Sequence, residues 1–275
     1  MRGPGFTVGT RQLGSCRTIH RRAIIGDRLR GADGGEVERI EEFVDERQKA
    51  WCIHCTRSLA ECETNEDHVP TKSLLSKPRP HHLPVVTICR ECNNGFSRDE
   101  QYAVTFISCV LAGSSDPEAQ NNPSAARALS ASPALRAMID KSRTEYTTHA
   151  GETRLLWRPD MSRIDRVILK NARGHAYFEY GEPILDEPAH VWARPLESMS
   201  VSERDSFEGS DGLGGLSAWP EVGSRMMTRV VTGEDMLGDW VVVQDGAYRY
   251  AVQQHGGLRV RSVWAEYLAT EVQWD

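Results

Sequence analysis

The stretch that decides the fold runs from Cys52-Ile53-His54-Cys55, through Asp67-His68-Val69-Pro70, to Cys89-Arg90-Glu91-Cys92-Asn93. Two cysteine pairs, each with two residues between its members, enclose a carboxylate–imidazole pair, and an asparagine follows the last thiol directly. Four thiolates in two such pairs are a common ligand set for a tetrahedral structural zinc ion. The sequence therefore predicts a structural Zn²⁺ site at Cys52, Cys55, Cys89 and Cys92.

The cysteine usage favours a metal site over a disulfide framework. The chain has seven cysteines, an odd number, and four of them fall in the two pairs. This pattern is typical of a reducing compartment, so we expect a cytoplasmic location. A redox role for the pairs is the alternative, but no βαβ pattern of the thioredoxin kind surrounds either one. No secretory signal and no apolar run long enough to cross a membrane is apparent, so no membrane partner is expected.

Composition and charge divide the 275 residues into three regions. Residues 1–35 are predicted to be a disordered basic tail, because arginine and glycine dominate and apolar periodicity is weak. Residues 36–115 are predicted to form the zinc domain, and residues 116–275 an α+β region of unknown role. The predicted fold class is α+β: a zinc-stapled treble-clef ββα module, a helical segment, and a small antiparallel β-rich C-terminal region. The net charge of −6 does not by itself indicate a nucleic-acid partner.

Local patterns predict the elements of the zinc domain. Residues 36–50 are predicted to be an amphipathic helix. Asp67 to Val69 is predicted to be extended and stopped by Pro70, and 85–88 to be a strand that leads into Cys89. The next helix is predicted to begin at Ser97, in a capping box with Glu100, and to end at Gly113.

The C-terminal region is predicted to combine helices and a sheet. Residues 116–143 are predicted to form one or two helices broken near Pro133, and 162–178 to begin as a helix. On that helix Ile164, Val167 and Ile168 are expected to face inward, and Arg163, Arg166, Lys170 and Arg173 to face solvent. Asp245-Gly246 predicts a hairpin with a type I′ turn, and 258–264 a further strand.

The polar residues between the cysteine pairs suit phosphodiester hydrolysis. Asp67 and Asn93 offer oxygen ligands of the kind that Mg²⁺ or Mn²⁺ prefers, and His68 titrates near neutral pH, as a general base should. Neighbours on a regular strand point to opposite faces, so Asp67 and His68 flank one phosphate only if the strand ends or bends there. A purely structural His68, or an Asn93 that only caps a turn, is the alternative.

These motifs resemble the HNH endonucleases of the treble-clef, ββα-metal kind, in the branch with four zinc cysteines. The resemblance covers about residues 51–112. It implies that His68 is the general base, that Asp67 and Asn93 bind a catalytic Mg²⁺ or Mn²⁺, and that the substrate is nucleic acid, with double-stranded DNA expected. The chain departs from the family at its middle asparagine, where it has His81-His82-Leu83-Pro84 instead.

Basic residues near the motif and on the 162–178 helix are candidate phosphate contacts, although an exposed basic face is also common without a ligand. The non-catalytic alternative is a zinc module that binds nucleic acid or protein; it would keep the four cysteines without needing Asp67, His68 and Asn93 together. The predicted nucleic-acid contacts are Lys72, Lys77, Arg79, Arg98, Arg163, Arg166 and Lys170.

Overall fold

The computed structural model describes residues 6–8, 38–40, 48–147, 149, 151–209, 220–254 and 256–275. Helices and sheets are mixed along the chain, as expected for the α+β class. The α-helices are α1 (Arg90–Ala112), α2 (Pro123–Ala131), α3 (Pro133–Lys141), α4 (Met161–Tyr180), α5 (Val201–Glu208) and α6 (Arg225–Thr232). The strands are β1 (Phe6–Val8), β2 (Glu38–Ile40), β3 (Thr64–His68), β4 (His82–Cys89), β5 (Arg143–Thr147), β6 (Thr153–Trp157), β7 (His190–Pro195), β8 (Met236–Leu237), β9 (Trp240–Gln244), β10 (Tyr248–Gln254), β11 (Leu258–Trp264) and β12 (Leu268–Trp274).

The strands form three sheets within the described residues, in the orders β1-β6-β5, β2-β4-β3 and β7-β12-β11-β10-β9-β8. The antiparallel pair β3–β4 leads directly into α1, which gives the ββα order that the sequence predicts for the zinc domain. β-branched residues dominate β4 and favour an extended backbone. No helix in these residues is long and apolar enough to cross a membrane.

Two predictions for the first 50 residues differ from the structure. The helix expected over 36–50 is wrong at Glu38–Ile40, which form β2 and pair in parallel with the start of β4. Phe6–Val8, within the segment expected to be disordered, pairs with β6. Neighbouring strands stabilise both short segments, and local periodicity carries no information about such partners. The other residues of the expected tail and helix lie outside the described residues, apart from a 3₁₀ turn at Gln48–Ala50.

Helix α1 begins seven residues before the predicted N-cap at Ser97. Its N-cap is Cys89, whose Sγ accepts a hydrogen bond from the backbone N–H of Cys92 at 3.3 Å. The capping box is therefore wrong: the Ser97 hydroxyl donates to the carbonyl of Asn94 inside the helix. A cysteine replaces the usual cap residue, which explains why the capping rules miss this start. The predicted end at Gly113 is confirmed, with φ of 65°.

One hydrophobic core joins the zinc domain to the C-terminal region. Phe106 and Val110 of α1 and Val167 of α4 belong to the same buried cluster as Val260 and Trp264 of the six-stranded sheet. The helix break near Pro133 and the inward face of α4 are confirmed. The hairpin is also confirmed, but only Gly246 of its turn has a positive φ, whereas type I′ requires two such residues.

Helix α4 approaches the end of β3 closely at Gly174. A Cβ at this position would lie 2.6 Å from Cγ2 of Val69, which follows β3 directly. We expect Gly174→Ala to lower the free energy of unfolding by about 1–3 kcal/mol, because a branched side chain cannot move aside at low cost. Gly95→Ala in α1 is the control, since its nearest atom is 3.9 Å away and alanine favours the helix. Urea denaturation of both variants measures the difference, and equal stabilities would contradict this packing.

Candidate functional site

Four cysteines form a compact cluster between the first loop, the end of β4 and the start of α1. The sulfur atoms of Cys52, Cys55, Cys89 and Cys92 all lie within 4.8 Å of one another, and Cys55 Sγ is 3.6 Å from Cys89 Sγ. Tetrahedral zinc with bonds of about 2.3 Å requires sulfur atoms about 3.8 Å apart. The spacing fits, so the cluster can bind a metal ion such as zinc.

The loop that carries the first cysteine pair is tightly turned. The N–H of Thr56 donates to the carbonyl of Cys52 at 2.9 Å, and the N–H of Cys52 donates to the carbonyl of Arg57 at 2.9 Å. Thr56 has a φ of 62°, unusual for a β-branched residue. These bonds turn the chain so that Cys52 and Cys55 face the second pair.

Burial and crowding shift the pKa values of three thiols in the cluster. Burial raises the pKa of Cys55 and Cys92, and neighbouring thiols contribute to the increase at Cys92. The pKa of Cys89 is lowered: burial opposes this, but the N–H of Cys92 and the neighbouring thiols outweigh it. Four crowded thiolates repel one another, and a divalent metal ion would remove that cost.

The carboxylate of Asp67 is buried against helix α4. Its Oδ1 lies 2.8 Å from Nζ of Lys170, and the two side chains are 9% and 1% exposed. Burial raises the pKa of Asp67, and the ammonium of Lys170 opposes the increase. The predicted metal ligand therefore already has a positively charged partner, supplied from outside the zinc domain.

Lys170 belongs to a polar network that links β3, α1 and α4. Its ammonium also bonds Glu100 Oε1 at 2.5 Å and Thr71 Oγ1 at 3.1 Å. Thr71 donates its hydroxyl to Glu100 at 2.7 Å and its backbone N–H to Asn171 Oδ1 at 3.1 Å. Buried polar groups are stable only when bonded in this way, and the network fixes the carboxylates of Asp67 and Glu100 in one place.

His68 is half-buried and is the last residue of β3. Strand β3 ends at His68, close to where a site shared by Asp67 and His68 would need the backbone to change direction. Both residues still lie within the ladder, opposite Val86 and Val85. Strand alternation favours opposite faces for two such neighbours, and His68 is the residue at which the ladder ends. The contacts of the network fix the carboxylate of Asp67 on the side that faces α4.

Asn93 lies in the first turns of α1, not before the helix as expected, and is half-buried. Glu100 follows it by seven residues and Phe96 by three, so the three side chains share one face of α1. That face meets α4, because Glu100 bonds Lys170 and Phe96 lies under the guanidinium of Arg166. Asn93 thus lies on the same side of α1 as the network that contains Asp67.

His54, between the first two cysteines, lies edge-on against the ring of Phe96, with ring centroids 4.8 Å apart. Its Nε2 is buried and has no hydrogen-bond partner among the described residues. Burial, together with the nearby charges of Lys170 and Arg173, lowers the pKa of His54 to about 3. His54 is therefore a neutral packing residue at neutral pH.

The predicted nucleic-acid contacts fall into two groups. Lys72, Lys77 and Arg79 lie in the segment between β3 and β4, where Lys77 is exposed and the other two are half-buried. Arg163 and Arg166 both bond Asp99, at 2.7 and 2.6 Å, and Arg163 also bonds the carbonyl of Arg98. Arg98 and Arg166 are exposed and Arg163 is half-buried, so this second group is a surface basic patch.

The outward orientation predicted for Lys170 and Arg173 is wrong. Lys170 is 2% exposed and bonded to carboxylates, so it cannot contact a nucleic acid. Arg173 is 7% exposed and donates to the carbonyl of Asp186 at 2.9 Å. Helical spacing alone placed both on a solvated face, but the end of β3 and the segment after α4 cover that side of the helix.

Sequence reasoning missed Glu100, Thr71 and Lys170 as members of the site. Two positions in the sequence were signals: Glu100 lies two helical turns beyond Asn93, and Thr71 follows Pro70 directly. No signal links Lys170 to Asp67, because about a hundred residues separate them.

The comparisons with known proteins return nothing: no family model, no curated protein and no solved structure matches this chain.

Proposed function

We propose that the chain is a metal-dependent endonuclease of the HNH type, acting on nucleic acid, with double-stranded DNA as the expected substrate. One observation carries the proposal. A single four-thiol cluster joins the loop before β3, the end of β4 and the start of α1. Strand β3, which bears Asp67 and His68, pairs with β4, and α1 bears Asn93. In this proposal the cluster holds a structural zinc ion in a treble-clef module and takes no part in the chemistry.

Each polar residue has a role in this proposal. His68 takes a proton from the attacking water while the new bond from oxygen to phosphorus forms. The bond from phosphorus to the 3′ oxygen breaks, leaving a 5′-phosphate and a 3′ alkoxide, which takes a proton from a solvent water to become the 3′-hydroxyl. Asp67 and Asn93 would hold Mg²⁺ or Mn²⁺, which supplies charge stabilisation at the phosphate and the departing oxygen.

The oxygen atoms of Asp67 and Asn93 are of the kind that such a cation prefers as ligands. A carboxylate and an amide oxygen suit Mg²⁺, which keeps several of its waters and needs few protein ligands. Asp67 lies on the side of α1 that carries Asn93, although one of its oxygens already bonds Lys170. The surface patch of Arg98, Arg163 and Arg166 supports contact with a phosphate backbone, since it lies on the Asn93 end of α1 and on α4.

Cleavage of plasmid DNA by the full-length, zinc-loaded chain in Mg²⁺ or Mn²⁺ tests the proposal. We expect His68→Ala to reduce nicking by at least about a hundredfold, because the general base is lost. The matched control is His190→Ala, which removes an exposed imidazole of β7 and should cleave like the wild type. Equal cleavage by the wild type and His68→Ala, at equal zinc content, would overturn the role of His68.

A second candidate function is favoured by the ion pair between Asp67 and Lys170. A buried carboxylate neutralised by an ammonium is also what a non-catalytic zinc module would contain, with Asp67 serving only the fold. Such a module would bind nucleic acid through the Arg98, Arg163 and Arg166 patch without cutting it. Gel-shift binding by a wild-type chain that shows no cleavage with either metal would select this function.

A further inference from the structure

The ammonium of Lys170 joins two carboxylates that come from different elements. Asp67 of β3 lies 2.8 Å and Glu100 of α1 2.5 Å from the same nitrogen. The third contact goes to the hydroxyl of Thr71 at 3.1 Å, so the three N–H donors of the ammonium have three partners. The two oxygens are therefore held around a single positive charge.

This arrangement has the chemistry of a small cation site. Two carboxylate oxygens at 2.8 and 2.5 Å from one nitrogen converge on one positive charge, as the oxygen ligands of a Mg²⁺ or Mn²⁺ ion do at the shorter distance of about 2.1 Å. Glu100 also borders an open depression of about 390 Å³, together with Ser97 and Arg127. Asp67 is buried, whereas Glu100 is partly exposed, so an ion from solvent can reach the pair past Glu100.

We propose that Lys170 is a positioning residue of this site. Its ammonium holds the carboxylates of Asp67 and Glu100 together and competes with a divalent cation for them. The inference rests on the proposed function in that it treats Asp67 as a ligand of the catalytic ion. It adds Glu100 as a further ligand of that ion. Helix α4, outside the zinc domain, then sets how tightly the domain binds its metal.

Removal of the ammonium should strengthen divalent binding. Lys170→Met leaves two carboxylates without a counter-charge in a largely buried site, which is unfavourable until a cation binds. We expect the Kd for Mn²⁺ to fall at least about tenfold, since a competing charge in hydrogen-bond contact is worth more than the about 1.4 kcal/mol that a tenfold change represents. A purely structural lysine would leave the affinity of the folded protein for Mn²⁺ unchanged.

Titration of Mn²⁺ into the zinc-loaded full chain, followed by electron paramagnetic resonance of free Mn²⁺, measures this affinity. Lys170→Arg keeps the charge and should bind Mn²⁺ as weakly as the wild type. Arg163→Met removes one charge from the same helix but leaves Asp99 paired with Arg166, so it should also match the wild type. Adding Asp67→Asn to Lys170→Met should abolish the gain.

Glu100→Gln keeps the proposal testable if Lys170→Met does not fold. This variant retains Lys170 and loses one carboxylate, so we expect Mn²⁺ to bind more weakly than in the wild type. Unchanged Mn²⁺ affinity in Glu100→Gln, or in folded Lys170→Met, would overturn the inference. Absence of cleavage by the wild type would instead reject the nuclease proposal, because the binding titration does not depend on activity.

Discussion

On the proposal that the cluster holds zinc, we expect Cys89→Ser to abolish zinc binding there and to unfold the segment around the cysteines. Cys89 is 1% exposed, lies 3.6 Å from Cys55 Sγ and caps helix α1. The buried cluster here is small and consists of Cys52, Ile53, Val69, Val86, Ile88, Cys89 and Tyr177. Structural zinc sites contribute about 10–16 kcal/mol in small zinc peptides, so a core of this size cannot replace the metal.

Zinc analysis and amide hydrogen exchange measure this effect. The amides of β3 and of the Cys52–Cys55 loop should lose protection, while those of β10 and β11, which belong to the larger core, should retain it. The control is Cys62→Ser, because Cys62 lies near the cluster but outside the group of four and donates to the carbonyl of Ser58. Full zinc content in Cys89→Ser would show that Cys89 is not a metal ligand.

Glu179→Leu should lower the free energy of unfolding by about 3–5 kcal/mol, because it leaves a buried guanidinium without its buried carboxylate. The Glu179 side chain is fully buried in α4 and accepts bonds from Nε of Arg229 at 3.1 Å and from the hydroxyl of Tyr250 at 2.5 Å. These bonds connect α4 to α6 and to the six-stranded sheet. Thermal and urea denaturation of the full chain measure the loss.

The control uses the second carboxylate on the same arginine. Asp235 bonds Arg229 at 3.1 Å, but its side chain is 58% exposed, so Asp235→Asn should cost at most about 1 kcal/mol. A double variant, Glu179→Leu with Arg229→Leu, should regain much of the stability, because the buried charge that lost its buried partner is gone. Equal losses for Glu179→Leu and Asp235→Asn would show that burial does not set the strength of this pair.

Several elements could be predicted because their signals are local. The β-branched run before Cys89 predicted β4, and Gly113 predicted the end of α1, since only a few neighbouring residues decide each feature. The start of α1 could not be predicted in this way. The Sγ of Cys89 serves as its cap, and capping rules describe serine, threonine, aspartate and asparagine.

The helix expected over 36–50 shows the limit of periodicity. The helix prediction depended on Val37, Ile40 and Val44, which have the spacing of one helical face. Glu38–Ile40 are nevertheless a strand, because the edge of β4 pairs with them. Pairing between segments that are distant in sequence leaves no local trace in the residues that pair.

The sequence by itself determined the cysteine cluster and the order strand, strand, helix, because ligand spacing and backbone preference act over short distances. Only the tertiary structure decided the surroundings of Asp67. Lys170 lies about a hundred residues away, and its ammonium reaches Asp67 and Glu100 only because α4 packs against α1 and the end of β3. Electrostatic partners of a buried carboxylate depend on distance in space, and that distance is set once the helices have packed.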